Sequence, residues 1–377
     1  MIGRVGLVRG SADVGVVAEA VVDLGAIGHN TRVLAGLAAP SAGTMAVVKA
    51  NAFGHGVLPV ARTVLANGAS WLGVTSIAEA LELRAAGIDA PILAWLYGID
   101  EDFGAAIRAD VDLSVSTPAH LEAIAKAGPA SVHLKVDTGL TRNGVGWDDW
   151  PELVRAARKV HVRGIWSHLA SADDPGNPSV YQQIARFTEA LDIARKSGIN
   201  PELRHLANSA GIIDVPEAHY DLVRAGLALY GVEPVPGRVA GLTRAMTLLA
   251  RAVNVKRVPA GTGVSYLHQY VTDRETTMVL VPAGYADGVP RLLSNRGEVY
   301  LGGERRPIAG RIAMDQFVVD AGDLEVQLGD EILLFGEAAG VPTVEEWAAW
   351  AQTNPHEILT GIGARVPRTY VQEQQHG

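Results

Sequence analysis

The stretch TMAVVKANAFGHG (44–56) decides the fold class, because it joins a short strand to a helix without a glycine-rich phosphate turn. Similar stretches recur, most of them followed by a helix. The strand candidates are 44–50, 71–76, 91–96, 111–116, 131–137, 162–168, 203–208 and 222–231, and the clearest helices are 55–67, 77–87, 117–128, 148–158 and 179–198. Eight buried strands alternating with helices predict an α/β fold, a parallel (β/α)8 barrel. The alternative, a doubly wound open sheet, usually carries G-x-G-x-x-G after its first strand, where this chain has Lys49.

After residue 243 the pattern changes to short strands joined by Gly, Pro and Asp turns. The strand segments are 245–258, 276–285, 297–320 and 329–336, with one helix, 344–352, begun by a capping box of Thr343 and Glu346. We predict a barrel domain over 13–243 and a separate, mostly β C-terminal domain over 244–377. The strand-like segment 5–12 makes residues 1–12 a candidate addition to the second domain.

Composition narrows the function classes. The chain has 377 residues, a net charge of −9 and no cysteine. Nucleic acids and anionic membranes require dense Lys and Arg, so neither is an expected partner. Without cysteine there are no disulfides, thiolate metal sites or Cys nucleophiles, and no metal site is predicted. The N-terminus lacks a secretory apolar region and no apolar run reaches about 18 residues, so we expect a cytoplasmic protein.

Reactive side chains fall where the predicted barrel strands end. The set comprises Lys49, Lys135, Asp137, Arg142, His168, His205, Asn208, Ser209, Arg224 and Gly226. Active sites of (β/α)8 barrels gather at the carboxyl ends of the strands, so we expect these residues to converge.

Three of these residues have both a chemical and a structural interpretation. Lys49 has no charged neighbour, and burial there lowers the pKa of an amine and makes it nucleophilic, although a rim lysine reaching to water has the same pattern. Ser209 stands where barrels commonly bind phosphate, but a helix-capping serine would look alike. Arg224, in an apolar run, needs partners and is also consistent with a structural ion pair.

Ordered blocks of sequence carry a family resemblance. The blocks are VVKANAFGHG (47–56), LKVDTGLTRNG (134–144), WSHLASADD (166–174), RHLANSAGI (204–212), RAGLALYG (224–231), GVSY (263–266), AGYADGVPR (283–291), GRIAMDQ (310–316) and ARVPRTY (364–370). Together they resemble the alanine racemase family of pyridoxal-phosphate enzymes, from about residue 18 to 372. The cofactor-lysine block is the most specific of them.

The resemblance implies an isomerase that interconverts L-alanine and D-alanine through an external aldimine of pyridoxal 5'-phosphate. It implies a homodimer whose active sites are shared between a barrel and the β domain of the partner. Lys49 would hold the cofactor, and Lys49 and Tyr266 of the other subunit would act as bases on opposite faces of the α-carbon. Supply of D-alanine for peptidoglycan is the role that it implies.

The resemblance also implies roles for the surrounding residues. Arg224 would face the pyridine nitrogen, supported by His205, and His168 would link Arg224 to Tyr266. The cofactor-binding set is completed by Asn208, Ser209, Gly226, Leu227 and Tyr370. Arg142 and the Met314 backbone would bind the substrate carboxylate, Lys135 matches a position that is carbamylated in many relatives, Tyr285 would line the entry, and Asp315 would support the site.

The chain departs from the family pattern at four positions: Phe53, Leu267, His356 and Ala364. Alternative interpretations are a racemase for another small amino acid such as serine, an amino-acid decarboxylase, and a non-catalytic cofactor-binding barrel. Decarboxylases of this architecture typically use a cysteine from the second domain, which this chain lacks, and the non-catalytic proteins resemble only the first domain.

Overall fold

The computed structural model describes residues 17–372 and divides into two compact units. The barrel unit comprises 27–52 and 56–242, and the β unit comprises 17–26, 53–55 and 243–372. The predicted strand at 5–12 lies outside the described residues. The domain limits 13–243 and 244–377 stay a prediction.

The strands are β1 (Ala18–Asp23), β2 (Gly43–Val47), β3 (Trp71–Val74), β4 (Ile92–Ala94), β5 (Val111–Val115), β6 (Ser131–Lys135), β7 (His161–Trp166), β8 (Leu203–His205), β9 (Leu222–Ala225), β10 (Met246–Arg251), β11 (Asn254–Val258), β12 (Gly263–Val264), β13 (Tyr270–Val271), β14 (Thr276–Val281), β15 (Glu298–Leu301), β16 (Glu304–Ala309), β17 (Phe317–Gly322), β18 (Glu331–Phe335) and β19 (Arg368–Val371).

The helices are α1 (Leu24–Ala38), α2 (Lys49–Phe53), α3 (Val57–Ala66), α4 (Ile77–Ala85), α5 (Phe103–Arg108), α6 (Pro118–Ala127), α7 (Trp150–Ala156), α8 (Pro178–Lys196), α9 (Ser209–Asp214), α10 (Val344–Trp350) and α11 (Pro355–Gly361). Short 3-10 turns lie at Ala157–Lys159, Pro216–Ala218, Leu227–Tyr230, Tyr266–His268 and Arg291–Leu293. Within the described chain, no helix is both long and apolar enough to cross a membrane.

The barrel unit contains an eight-stranded parallel sheet in the order β8-β7-β6-β5-β4-β3-β2-β9. The backbone amides of Asp221 and Arg224 donate to the carbonyls of Arg204 and Ala207, and these bonds link β9 to β8. Strands β3, β4 and β5 are buried at every residue, which is the pattern of parallel strands covered on both faces. The predicted barrel is confirmed.

Every predicted barrel strand extends past the carboxyl end of the observed strand, and two of these differences have a clear local cause. The strand predicted over 222–231 ends at Ala225, and the chain continues as a 3-10 turn closed by Gly231 in a left-handed conformation. The strand predicted over 203–208 ends at His205, because the Asn208 side chain accepts from the amide of Gly211 and begins α9.

The β unit contains a nine-stranded sheet in the order β11-β14-β17-β16-β15-β18-β10-β1-β19, and a separate hairpin of β12 and β13. Its strand pairs are antiparallel except for β1 with β19. The strand β1, absent from the predicted set, lies between β10 and β19. Its residues therefore belong to this sheet and not to the barrel sheet.

The β unit has two helices rather than the one predicted. The capping box of Thr343 and Glu346 begins α10 as expected, with both hydrogen bonds formed. The second helix, α11, is capped by Asn354, whose side chain accepts from the Glu357 amide, and Pro355 occupies the first helical position. This Asn-Pro start was visible in the sequence, but its seven residues are too few to show a clear apolar period.

Two glycine substitutions in the barrel unit are predicted to have opposite effects on stability. Gly36 lies in α1 with open space around it, so Gly36→Ala is expected to raise the free energy of unfolding by about 0.5–1 kcal/mol. A Cβ at Gly73 would lie 2.6 Å from the Trp95 ring and 2.9 Å from the Met45 sulfur, so Gly73→Ala is expected to lower it by about 1–3 kcal/mol. Urea unfolding of both variants beside the wild type measures the two changes, and equal effects would contradict the packing described for the barrel interior.

Candidate active site

Lys49 begins a left-handed turn of the backbone. It lies two residues beyond β2, so the expectation that it ends the strand is wrong. Ala50, Asn51 and Ala52 have φ of 51°, 53° and 53°, the left-handed region that L-residues avoid at roughly 1–2 kcal/mol each. The surrounding structure must therefore hold this turn in place.

Glu79 supplies much of that support. Its Oε1 accepts from the Ala50 amide at 2.7 Å, and its Oε2 accepts from the amides of Thr75 and Ser76 at 2.8 and 3.1 Å. With Ser76 it also forms the capping box of α4. A separate hydrogen bond, from the Val57 amide to Asn51 Oδ1 at 2.8 Å, holds the far end of the turn. Glu79 was not among the predicted site residues, although the Ser76-x-x-Glu79 spacing is the signal of a capping box.

The Lys49 amine has the properties of a nucleophile. Burial lowers its pKa, and the positive charge of Arg142 lowers it further, against the opposing effect of Glu79. Among residues 17–372, no group forms a hydrogen bond or ion pair with Nζ. A larger neutral fraction and a free lone pair are what attack on an aldehyde requires.

Lys135 is the last residue of β6, and Arg142 lies in the loop that follows. Burial and the charges of Arg224 and Arg142 lower the pKa of Lys135 to about 7, and its Nζ lies 4.2 Å from the centre of the Trp166 ring. Asp137 holds the following loop by accepting from the amides of Gly139 and Thr141. Arg142 is exposed on that loop, which leaves its guanidinium accessible to an anion.

Arg224 is a buried cation. Its Nη1 donates to His205 Nδ1 at 3.1 Å, and its Nη2 lies within reach of the carbonyls of Ser167 and Leu206 and of His168 Nδ1, at 2.7, 3.0 and 3.2 Å. Its Cζ lies 4.8 Å from the centre of the Trp166 ring. Burial lowers the pKa of Arg224 to about 9, so the guanidinium remains charged at neutral pH.

The two histidines at Arg224 are neutral. Burial and the charge of Arg224 hold the pKa of His168 and of His205 well below the ordinary value. Each presents Nδ1 to a guanidinium that only donates, so in both rings Nδ1 accepts and Nε2 carries the hydrogen.

Ser209 lies among backbone amides. Its Oγ accepts from the Gly226 amide at 2.8 Å and from the Ala228 amide at 3.3 Å. Ser209 is the first residue of α9 and Asn208 is the cap, so the structural alternative of a capping serine is wrong. Gly226 follows β9 instead of lying within it, and Leu227 begins the next 3-10 turn.

The predicted site residues of the β unit lie mostly in loops. Tyr266 is 65% exposed, and Leu267, Tyr285 and Met314 are also exposed. The amide of Tyr285 donates to the Ala313 carbonyl, so two of the sequence blocks are adjacent. A Cβ at Gly284 would overlap the Met314 carbonyl, and only glycine permits this close approach.

Asp315 and Tyr370 have different surroundings. Asp315 accepts from Arg365 Nη2 at 2.8 Å, and the same guanidinium binds Asp287. Tyr370 lies on the edge strand β19, where burial raises its pKa. Two of the departures from the family pattern, Phe53 and His356, are in contact, with ring centres 5.7 Å apart.

Comparison with known proteins follows the same division of the chain. The family model described as "Alanine racemase, N-terminal domain" matches residues 22–234, and "Alanine racemase, C-terminal domain" matches residues 245–370. The chain belongs to the alanine racemase family. A relative named alanine racemase from Frankia casuarinae is 52% identical over 93% of this chain and 96% of its own length. Another from Thermobifida fusca is 50% identical over 94% of this chain and 98% of its own length.

Solved structures of the family have the same fold. Alanine racemase from D-cycloserine producing Streptomyces lavendulae has a TM-score of 0.93 and 48% identity, covering 97% of this chain and 99% of that one. Alanine racemase from Streptomyces coelicolor A3(2) has a TM-score of 0.93 and 47% identity, covering 96% and 100%.

The alanine racemase family depends on pyridoxal phosphate, and the barrel unit has the chemistry to hold it. The Lys49 amine is free to bond an aldehyde. Arg224, although 4% exposed, has no acceptor for its Nε within the described chain, which leaves a donor for a ring nitrogen. The Ser209 Oγ accepts from the Gly226 and Ala228 amides, which leaves the hydroxyl hydrogen free to donate to a phosphate.

Replacing Glu79 is predicted to loosen the Lys49 turn. In Glu79→Gln the amide group faces backbone N–H donors, so one charge-assisted acceptor is lost and the free energy of unfolding should fall by about 1–3 kcal/mol. Hydrogen exchange at residues 50–53 should accelerate, as read by mass spectrometry. Glu82→Gln, an exposed site on the same helix, is the control and should leave that exchange unchanged. Unchanged exchange in Glu79→Gln would contradict the anchoring role.

Proposed function

We propose that this chain is an alanine racemase, an isomerase that interconverts L-alanine and D-alanine with Lys49 and Tyr266 as its two bases. The main observation behind this proposal is the unpaired Lys49 amine. Burial and the positive charge of Arg142 lower its pKa. The names of its relatives, alanine racemases from Frankia casuarinae, Thermobifida fusca and Salinispora arenicola, support alanine as the substrate. They do not favour a serine racemase, a decarboxylase or a non-catalytic protein.

The cofactor-binding residues are proposed as a set. Lys49 would hold the aldehyde carbon, and Arg224 would face the ring nitrogen with His205 and His168 behind it. Ser209, with the amides of Gly226 and Leu227, Asn208 and Tyr370 would complete the phosphate and ring contacts. When bound, pyridoxal 5'-phosphate withdraws electrons from the α-carbon and so acidifies its hydrogen.

Racemisation needs a base on each face of the α-carbon, because a single base tends to return the proton to the face that it left. Lys49 would move the proton on one face and the Tyr266 phenol on the other. Arg142, with the Met314 amide, would bind the substrate carboxylate and fix which face each base meets. Tyr285 would line the entry, and Asp315 would support the Met314 segment.

Tyr266 is proposed to serve a site on a second copy of the chain. Tyr266, Leu267, Tyr285 and Met314 are large apolar side chains that lie exposed on loops of the β unit. Exposed apolar groups of this size commonly mark an interface. A homodimer with shared sites would cover them and bring the phenol to the partner's barrel.

Lys135 is proposed to be carbamylated. Its pKa of about 7 leaves much of the amine neutral at physiological pH. The neutral nitrogen adds to the carbon of CO2, and loss of one proton leaves an N-carboxylate. This anion would accept hydrogen bonds from Arg142 and offset the positive charge of Arg142, Arg224 and Lys49. We propose a cytoplasmic location, where CO2, alanine and the cofactor are all available, and a role in supplying D-alanine for peptidoglycan.

Complementation tests the shared site. Lys49→Ala and Tyr266→Phe should each abolish racemisation of alanine when produced alone. When the two are produced together, about half of the dimers are hybrid and each hybrid has one intact site, so about one quarter of wild-type activity should return. A chiral assay of both enantiomers measures it.

The complementation experiment has a matched control. Tyr181→Phe removes another exposed phenol and should retain full activity. If the two inactive variants stay inactive together while hybrids are detected by mass, the shared site is wrong. If wild-type protein with added cofactor racemises serine but not alanine, the proposed substrate is wrong.

Isotope labelling tests the carbamate. Protein equilibrated with ¹³C-bicarbonate should show a carbamate carbon resonance that Lys135→Gln lacks. Acidification below the pKa of about 7 should remove the resonance, because protonated Lys135 cannot hold CO2. Identical spectra of the two proteins would contradict the modification. Lys126→Gln, on the exposed face of α6, is the control and should keep the resonance.

A further inference from the structure

A row of hydrogen bonds crosses the interior of the barrel behind Arg224. Arg163 Nη1 donates to both oxygens of Asp112 at 2.8 and 3.1 Å, and Asp112 Oδ2 lies 3.0 Å from His133 Nε2. His133 Nδ1 lies 2.9 Å from His205 Nε2, and His205 Nδ1 lies 3.1 Å from Arg224 Nη1. Asp112, His133 and His205 are buried, and none of the sequence blocks called attention to the first two.

The two ends of the row fix every hydrogen in it. Arg224 only donates, so His205 Nδ1 must accept and its Nε2 must carry the hydrogen. That hydrogen is donated to His133 Nδ1, so His133 in turn carries its hydrogen on Nε2 and donates to Asp112. A carboxylate only accepts, so both ends require the same tautomers. A second hydrogen on His133 would face the Nε2 hydrogen of His205, so both rings are neutral.

Two tryptophans and a glycine fix the positions of the His133 and His205 rings. The Trp166 ring stacks on His205 with centres 5.4 Å apart and planes 6° apart, and Trp71 meets His133 edge-on. Gly164, beside His133 on β7, leaves the space for its ring, since a Cβ there would overlap Nδ1. A larger side chain at 164 would break the contact between the two histidines.

The row also connects the buried cation Arg224 to a negatively charged group. Within residues 17–372, Arg224 forms no ion pair with a carboxylate, although burial makes an uncompensated cation unfavourable. Asp112 is the buried carboxylate that reaches it, through two imidazoles. Polarisation along connected hydrogen bonds makes His205 Nδ1 a stronger acceptor and holds the guanidinium in one orientation.

We propose that Asp112 and His133 are positioning residues for Arg224: through His205 they set the orientation of the guanidinium that meets the cofactor ring. This inference rests on the proposed role of Arg224. Neither residue touches the substrate, so their loss should lower kcat and leave the KM for alanine nearly unchanged.

The ring tautomers test the row directly in the wild-type holoenzyme. Protein labelled with ¹⁵N in its histidines should show His133 and His205 as neutral rings with hydrogen on Nε2. His133→Gln and His205→Gln identify their resonances. Hydrogen on Nδ1, or a charged ring, at either residue would overturn the proposal. This measurement does not depend on which amino acid the enzyme racemises.

Asp112→Asn, and a second substitution that should reverse its effect, test the function of the row. In Asp112→Asn, Arg163 draws the amide oxygen, so the NH2 group faces His133 and demands the opposite tautomer from the one that Arg224 demands. We expect kcat to fall about tenfold or more, with KM changed by less than about twofold. Asp112→Asn with Arg163→Met frees the amide to turn its oxygen to His133, and kcat should recover. Asp110→Asn, on the exposed surface two residues earlier, is the control and should retain wild-type kcat.

The kcat values of the two variants either support or overturn the positioning role of Asp112. A fall in kcat in Asp112→Asn that Arg163→Met reverses supports the positioning role, because a merely structural loss would not be repaired by removing a further partner of residue 112. Wild-type kcat in Asp112→Asn, or no recovery in the double variant, overturns it. If Asp112→Asn does not fold, the wild-type tautomers decide alone. Absence of alanine racemisation in the wild type would instead overturn the proposed function.

Discussion

The barrel interior is organised around one buried positive charge. The guanidinium of Arg224 has given up most of its hydration, and carbonyl oxygens, two neutral imidazoles and the face of Trp166 replace the lost water. None of these partners carries a full negative charge. Much of the electrostatic field at the carboxyl ends of the strands therefore comes from this residue and from Arg142.

Burial, with that field added to it, lowers the pKa of several groups near the carboxyl ends of the strands. Burial comes first for Lys49, Lys135 and His168, and the neighbouring cations add to it. For Lys135 the folded pKa of about 7 lies below the ordinary value of 10.5. Between these values the unfolded chain binds a proton that the folded chain does not, so this group makes the fold more stable as pH rises through that window. Below pH 7 the penalty of burying the charged amine is present in full.

The sequence predicted the architecture well because alternating strands and helices leave a strong pattern, and each of the eight predicted barrel strands corresponds to an observed strand. The ends of the strands were less predictable, since the side-chain bond from Asn208 and the 3-10 turn after Ala225 are local choices without periodicity. For the site, residues inside recognisable blocks were found. Glu79, Asp112 and His133 were missed, because they act on neighbours that only the folded chain brings near.

The left-handed turn after Lys49 restricts which residues can follow the lysine. Branched side chains at 50–52 would clash with their own backbone, and this accounts for the small and Asn residues found there. Elsewhere, exchanging glycine for alanine commonly strengthens a protein, but in this segment the preference is inverted and glycine suits the backbone better. Grafting the lysine onto another scaffold would consequently require a carboxylate in the role of Glu79, in addition to the short peptide itself.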